Sequence, residues 1–352
     1  MKRLLLLFLV AAIPLCTLAQ ERNILDVIAE QDREGQPETW KPRAEAGDPE
    51  AQYKLAQLYL SGIGGSQDDS KGMYWLRESA RQKYGMALFS LGRIYYLGGH
   101  GVTEDRSRAI QHFEAAAILG ISQAAVWRAR FGPQVDSYYW LKMAAEQGDT
   151  SAQYEVGWNY YFGQSGPQSY QEAGKWFVRA AKDGHSSSIY FLAMMYSHGR
   201  GYPQDYKMAF ALFASAAEKG HKDARFELGR SYAQGQGTRK DQKAAYVIFR
   251  SLIPEMHFEA LNQIAQFYLN GIYVKRSLVA AYAIYNFMGV KFENVPEIAK
   301  KREDTKIQLK ESEIEEGQML TREMLASNDV ISAIDEFLGW TNKGKINPKT
   351  RM

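Results

Sequence analysis

Gly47-Asp48-Pro49-Glu50-Ala51-Gln52-Tyr53-Lys54-Leu55-Ala56-Gln57-Leu58-Tyr59 returns as Gly148-Asp149-Thr150-Ser151-Ala152-Gln153-Tyr154-Glu155-Val156-Gly157-Trp158-Asn159-Tyr160. It returns again as Gly220-His221-Lys222-Asp223-Ala224-Arg225-Phe226-Glu227-Leu228-Gly229-Arg230-Ser231-Tyr232. Recurrence at a fixed period marks a stack of one small structural unit. Indexed by its first small residue, the array runs Ala51, Ala87, Ala124, Ala152, Ser188, Ala224, Ala260, with spacings of 36, 37, 28, 36, 36 and 36 residues. Seven units follow, the third shortened.

Each unit carries two helical patterns. Eight residues after the index stands Tyr59, Tyr95, Tyr160, Tyr196, Tyr232 or Tyr268, and eleven after it Gly62, Gly98, Gly163, Gly199, Gly235 or Gly271. Small residues at the index and five further on, with aliphatics between, form one stripe narrow enough for close helix approach, which defines helix A. Glycine then ends it by accepting positive φ, and Asp68, Asp205 and Asp241 stand where they can cap the next helix. Helix B carries Trp75, Trp140 or Trp176, then a small pair such as Ala144-Ala145 or Ala180-Ala181, and stops at Gly120, Gly148, Gly184 or Gly220. Asp48 and Pro49 restart helix A as N-cap and first-turn proline. The third unit loses about nine residues around Phe131-Gly132-Pro133, so its helix B restarts at Asp136 or Ser137 and the stack is expected to bend there.

The order small-x-Tyr-x-Leu-Gly-x-x-Tyr, Gly-x-Gly, Asp, Trp, Ala-Ala and Gly resembles the Sel-one-like repeat, a relative of the tetratricopeptide repeat. The resemblance covers residues 44–290, with units starting near 44, 84, 121, 149, 185, 221 and 257. It implies an all-α, right-handed superhelical solenoid of antiparallel helix pairs with helical caps. It also implies protein–protein interaction or scaffolding, often in envelope and secretion machinery. Residues 20–43 read as a linker and N-terminal capping helix, with a short helix at 24–30 and an orphan helix B at 40–46. Residues 291–340 read as one or two C-terminal capping helices, and 341–352, with Lys343, Lys345, Lys349 and Arg351, as a flexible tail.

Met1-Lys2-Arg3, the apolar run from Leu4 to Ala12 and the small residues of Thr17-Leu18-Ala19 read as a signal peptide cleaved after Ala19. Localisation is therefore expected to be periplasmic or secreted. A lipid anchor at Cys16 is disfavoured because Leu15 stands where a small residue belongs. The apolar run falls short of the roughly 20 residues a membrane span needs, so no stable membrane insertion is expected. Cleavage removes Lys2 and Arg3 from 43 basic residues, leaving 41 against 40 acidic, and removes the one cysteine. A near-neutral exported chain has no concentrated basic surface for nucleic acid, and it has no thiol chemistry.

No nucleophile elbow, His-Glu-x-x-His, phosphate loop or dinucleotide fingerprint occurs, so neither enzyme activity nor a cofactor is expected. His185, His221 and His257 are spaced by 36 residues, which is the repeat itself. Equivalent positions about 10 Å apart cannot share one metal with bonds of about 2 Å. The reading is a scaffold that holds a protein partner of the cell envelope on the concave, helix-A face. The alternative is a protein bound to peptidoglycan or exopolysaccharide, and an envelope hydrolase stands further back. The residues free to diversify lie at index +3, +6, +7 and +10. In units two to six they supply Arg93, Trp127, Arg130, Trp158, Phe162, Phe191, Met194, His198 and Arg230, the aromatic and arginine composition of an interaction hot spot.

Overall fold

The computed structural model describes residues 36–293, 295–327 and 329–339. The expected signal peptide, the helix at 24–30 and the tail at 341–352 lie outside the described residues. All regular elements among those described are helical, with one isolated bridge between Gly99 and Val102. Contacts divide the chain into two compact units, residues 1–152 and 153–352.

The first unit holds α1 (Pro37–Glu45), α2 (Pro49–Ser61), α3 (Asp69–Arg81), α4 (Gly85–Leu97), α5 (Arg106–Ile118), α6 (Ser122–Phe131), a short 3-10 turn at Gln134–Asp136 and α7 (Ser137–Glu146). Successive helices pack as neighbours from α1 through α7, the antiparallel-pair stack that the repeat predicts. Helix α1 is the expected orphan helix B: its Ala44 is buried, and the Gln52 side-chain amide donates to the Ala44 carbonyl at 3.1 Å.

The division falls inside α8 (Thr150–Phe162). The second unit continues with α9 (Tyr170–Lys182), α10 (Ser186–His198), α11 (Tyr206–Glu218), α12 (Lys222–Gln234), α13 (Gln242–Ser251), α14 (Phe258–Asn270) and α15 (Leu278–Lys291). After the repeats come α16 (Pro296–Lys306), α17 (Glu311–Ser327) and α18 (Val330–Phe337). The C-terminal cap therefore has three helices where one or two were expected. Helix α15 is buried on nearly every side because α16 and α17 cover the face that a further repeat would have taken. Ile298, Leu320, Met324, Val330 and Ile334 close that core.

Local chemistry explains why the same elements recur. The first four amides of a helix lack partners inside it, and so do the last four carbonyls. Asp48, Asp68, Asp105, Ser169, Asp205, Asp241 and Ser277 each accept such amides at a helix start, an arrangement worth about 1 kcal/mol apiece. His185, His221 and His257 do the same through Nδ1, accepting from Ser188, Ala224 and Ala260 at 3.2 to 3.3 Å. At the other end, Gly62, Gly199, Gly235 and Gly271 close helix A in the left-handed region.

One bond then fixes helix B on helix A. The backbone amides of Asp68, Asp105, Ser169, Asp205, Asp241 and Ser277 donate to the carbonyls of Tyr59, Tyr95, Tyr160, Tyr196, Tyr232 and Tyr268, at 2.8 to 2.9 Å. The repeated tyrosine position thus supplies a main-chain acceptor as well as a ring.

The third repeat obeys different rules. Helix α6 stops after ten residues, and its Arg128 is buried. The guanidinium reaches Glu114 on α5 at 2.5 Å and Asp136 at 2.7 Å, and it lies 5.2 Å from the Trp140 ring centre. Trp140 donates to Asp136 at 3.2 Å. A charged bridge therefore stands where the other repeats have their glycine turn.

Candidate functional site

In the first unit, three of the expected residues lie on helix A of the second and third repeats. Trp127 is half-buried, with ring centres 5.3 Å from the core residue Phe113, 5.1 Å from Phe131, 5.6 Å from Tyr96 and 6.2 Å from Phe89. The shortened repeat draws it partly inward, while Phe131 stays 41% exposed. Arg93 lies over this cluster, 5.7 Å from the Trp127 ring centre and 6.0 Å from that of Phe89, and its Nε is buried with no hydrogen-bond partner. Arg130 is exposed.

In the second unit, Trp158, Phe162 and Phe191 meet. Trp158 and Phe162 have ring centres 4.6 Å apart, and Phe162 and Phe191 6.1 Å. Phe191 is stacked at 5.2 Å on the fully buried Phe177 of α9. That backing sits close because Gly157 leaves room: a Cβ there would come within 2.8 Å of the Phe177 ring. Phe162 is 49% exposed on this anchored base. Arg200 borders the cluster, donating to the Tyr161 hydroxyl at 3.0 Å with its guanidinium over Tyr170.

The remaining expected residues are less free. Met194 is half-buried against the Ile189–Phe213 core. His198 is exposed, with Nδ1 2.8 Å from the Met194 carbonyl. Arg230 is held in the chain, donating to both Glu227 carboxylate oxygens at 3.0 and 3.1 Å. Burial raises the Glu227 pKa, and Arg230 pulls against that rise.

The capping histidines are structural. His185 lies 4.7 Å from Tyr154, His221 is stacked at 4.5 Å on Tyr190, and His257 at 5.0 Å on Phe226, each aromatic belonging to the preceding repeat. Burial lowers the pKa of His185 and of His221. Among the described residues no group of three or more His, Cys, Asp or Glu side chains is placed to hold a metal ion. None of the described helices is long and apolar enough to cross a membrane.

Paired helices clamped by the same caps, repeated along both units, define an all-α repeat solenoid. The chain belongs to the Sel1 repeat family, whose model matches residues 49–84, 85–121, 135–149, 150–185, 186–221, 222–251 and 258–286. The short match at 135–149 coincides with helix B of the shortened third repeat. Among solved structures, the chain is similar to a Sel1 repeat protein from Oxalobacter formigenes, with 25% identity and a TM-score of 0.52. That likeness covers 74% of this chain and 77% of the other. It is also similar to a protective antigen present in uropathogenic Escherichia coli strains that displays an SLR fold. There the identity is 19% and the TM-score 0.43, over 89% of this chain and 99% of that one. The Sel1 repeat is a general protein-interaction scaffold.

Proposed function

We propose that this chain is an exported scaffold of the cell envelope that holds a protein partner against the helix-A faces of its repeats. The observation that carries the reading is the Trp158–Phe162–Phe191 cluster, with Phe162 half exposed while Phe177 fixes the rings from behind. Rigid aromatics bury large area with little loss of rotamer freedom, the property of binding anchors. Their positions, index +6 and +10 on α8 and +3 on α10, are those the repeat leaves free to vary. Export rests on the basic start, apolar run and small residues of positions 1–19.

Co-purification from the source cells tests this. The wild-type chain retains a discrete envelope protein, and Trp158→Ser with Phe162→Ser loses it while helicity and melting stay close to wild type. Recovery in the cytoplasmic fraction, or retention of the same protein by the double variant, contradicts the proposal.

A further inference from the structure

Arg93 is a half-buried cation of the first unit that lacks a carboxylate partner among the described residues. Its guanidinium lies 6.0 Å from the Phe89 ring centre and 5.7 Å from that of Trp127, its Nε is buried and unpaired, and it forms no ion pair among the described residues. Arg128, which is buried, holds two carboxylates. A buried guanidinium N–H without an acceptor is unfavourable, so a half-buried guanidinium with an unpaired Nε is set to receive an anion.

The surroundings select the kind of anion. At index +3 and +6, the helix A elements of the second and third repeats carry Ser90, Arg93, Trp127 and Arg130, with no carboxylate among them. The equivalent positions in the second unit include Glu155 and Glu227. Beside Arg93, Leu97 is 62% exposed and Phe131 41% exposed. A guanidinium presents a planar fork that fits a carboxylate with two parallel hydrogen bonds, and the flanking apolar surface calls for apolar side chains next to that carboxylate.

We propose that Arg93 is the anchor for an Asp or Glu side chain of a partner protein segment, with neighbouring apolar residues of that segment lying on Leu97, Trp127 and Phe131. The proposal rests on the scaffold reading and names the chemistry its partner brings.

A phage-displayed library of random linear peptides, selected on the full chain and on Arg93→Gln, tests it. Wild type enriches sequences with Asp or Glu beside apolar residues. A selected peptide binds Arg93→Gln about tenfold or more weakly, the usual effect of losing a charged hydrogen-bonded contact. Changing the peptide's own Asp or Glu to Asn or Gln produces the same loss on the wild-type protein, a readout independent of how the variant folds. Peptides enriched without an acidic residue, or bound equally by Arg93→Gln, overturn the anchor and leave the scaffold reading intact. Enrichment of nothing on either protein overturns both.

Discussion

Arg128 and Asp136 lie eight residues apart and meet at 2.7 Å, spanning the place where every other repeat turns on glycine. Between them they replace a missing turn, since Asp136 also accepts from Trp140 at the start of the next helix. Desolvation pushes the Asp136 carboxyl upward, but the Trp140 and Arg128 contacts together hold it below the ordinary aspartate value.

Removing Arg128 leaves Glu114 and Asp136 uncompensated beside a cavity. Arg128→Ala is expected to cost about 2 kcal/mol, less than for a fully enclosed pair because both carboxylates keep some contact with water. Arg128→Met, which refills the volume, costs less. Urea midpoints at constant slope measure both, and an unchanged midpoint for the alanine variant contradicts the staple.

The capping histidines give the fold a pH dependence. His185 and His221 accept backbone amides through neutral Nδ1, and burial lowers the pKa of each. Their folded values lie below the unfolded value of about 6.5, so the stability they contribute is present above that pH. It is lost as pH falls through their lowered folded values. Glu227, raised by burial, acts in the opposite sense on acidification. The histidine part is isolated with His185→Asn and His221→Asn, which keep an N-cap acceptor without titrating. Melting followed from about pH 7.5 to 5 should fall more steeply for wild type than for the double variant.

Gly157 couples packing to the aromatic cluster. Gly157→Ala pushes a methyl against Phe177, which backs Phe191. Overpacking of this kind costs about 1 to 3 kcal/mol. Partner retention should fall as well, whereas a variant of equal cost at Gly92, which faces Phe113 in the first unit, should spare contacts made through Phe162.

The three C-terminal helices seal the array. A chain ending at Lys291 exposes the faces of α15 that α16 and α17 cover, and it removes Asp335, the ion-pair partner of Arg250 on α13. Terminal repeats without a polar cover associate through their open faces. Self-association in sedimentation, or loss of soluble protein, is the expected outcome. A monomer as stable as the full chain contradicts the capping role.

Much of the fold is legible from residues 47–59 and their echoes because caps, glycine turns and small stripes act within a few residues of one another. The positions of Asp68, Asp205, Asp241, Gly62 and Gly199 define helix ends without reference to any distant contact. Arg128 was not legible, since its Glu114 partner sits on another helix and an arginine in sequence gives no sign of burial. Arg230 reads as a free hot-spot residue until Glu227, one turn earlier, is seen to hold it. The capping helices blur for a related reason: with no repeat to index them, α17 and α18 are distinguished by their tertiary packing.

Phe162 is a half-exposed side chain on a fixed aromatic base, and site-specific photocrosslinking in intact cells tests most directly whether it meets a partner. A benzophenone side chain placed at Phe162 is compared with the same probe at Val178 and Val247, exposed apolar positions on α9 and α13. A single protein adduct formed from Phe162 alone is the predicted result. No adduct from Phe162, or the same adduct from all three positions, contradicts the claim that this face of the repeats holds a partner.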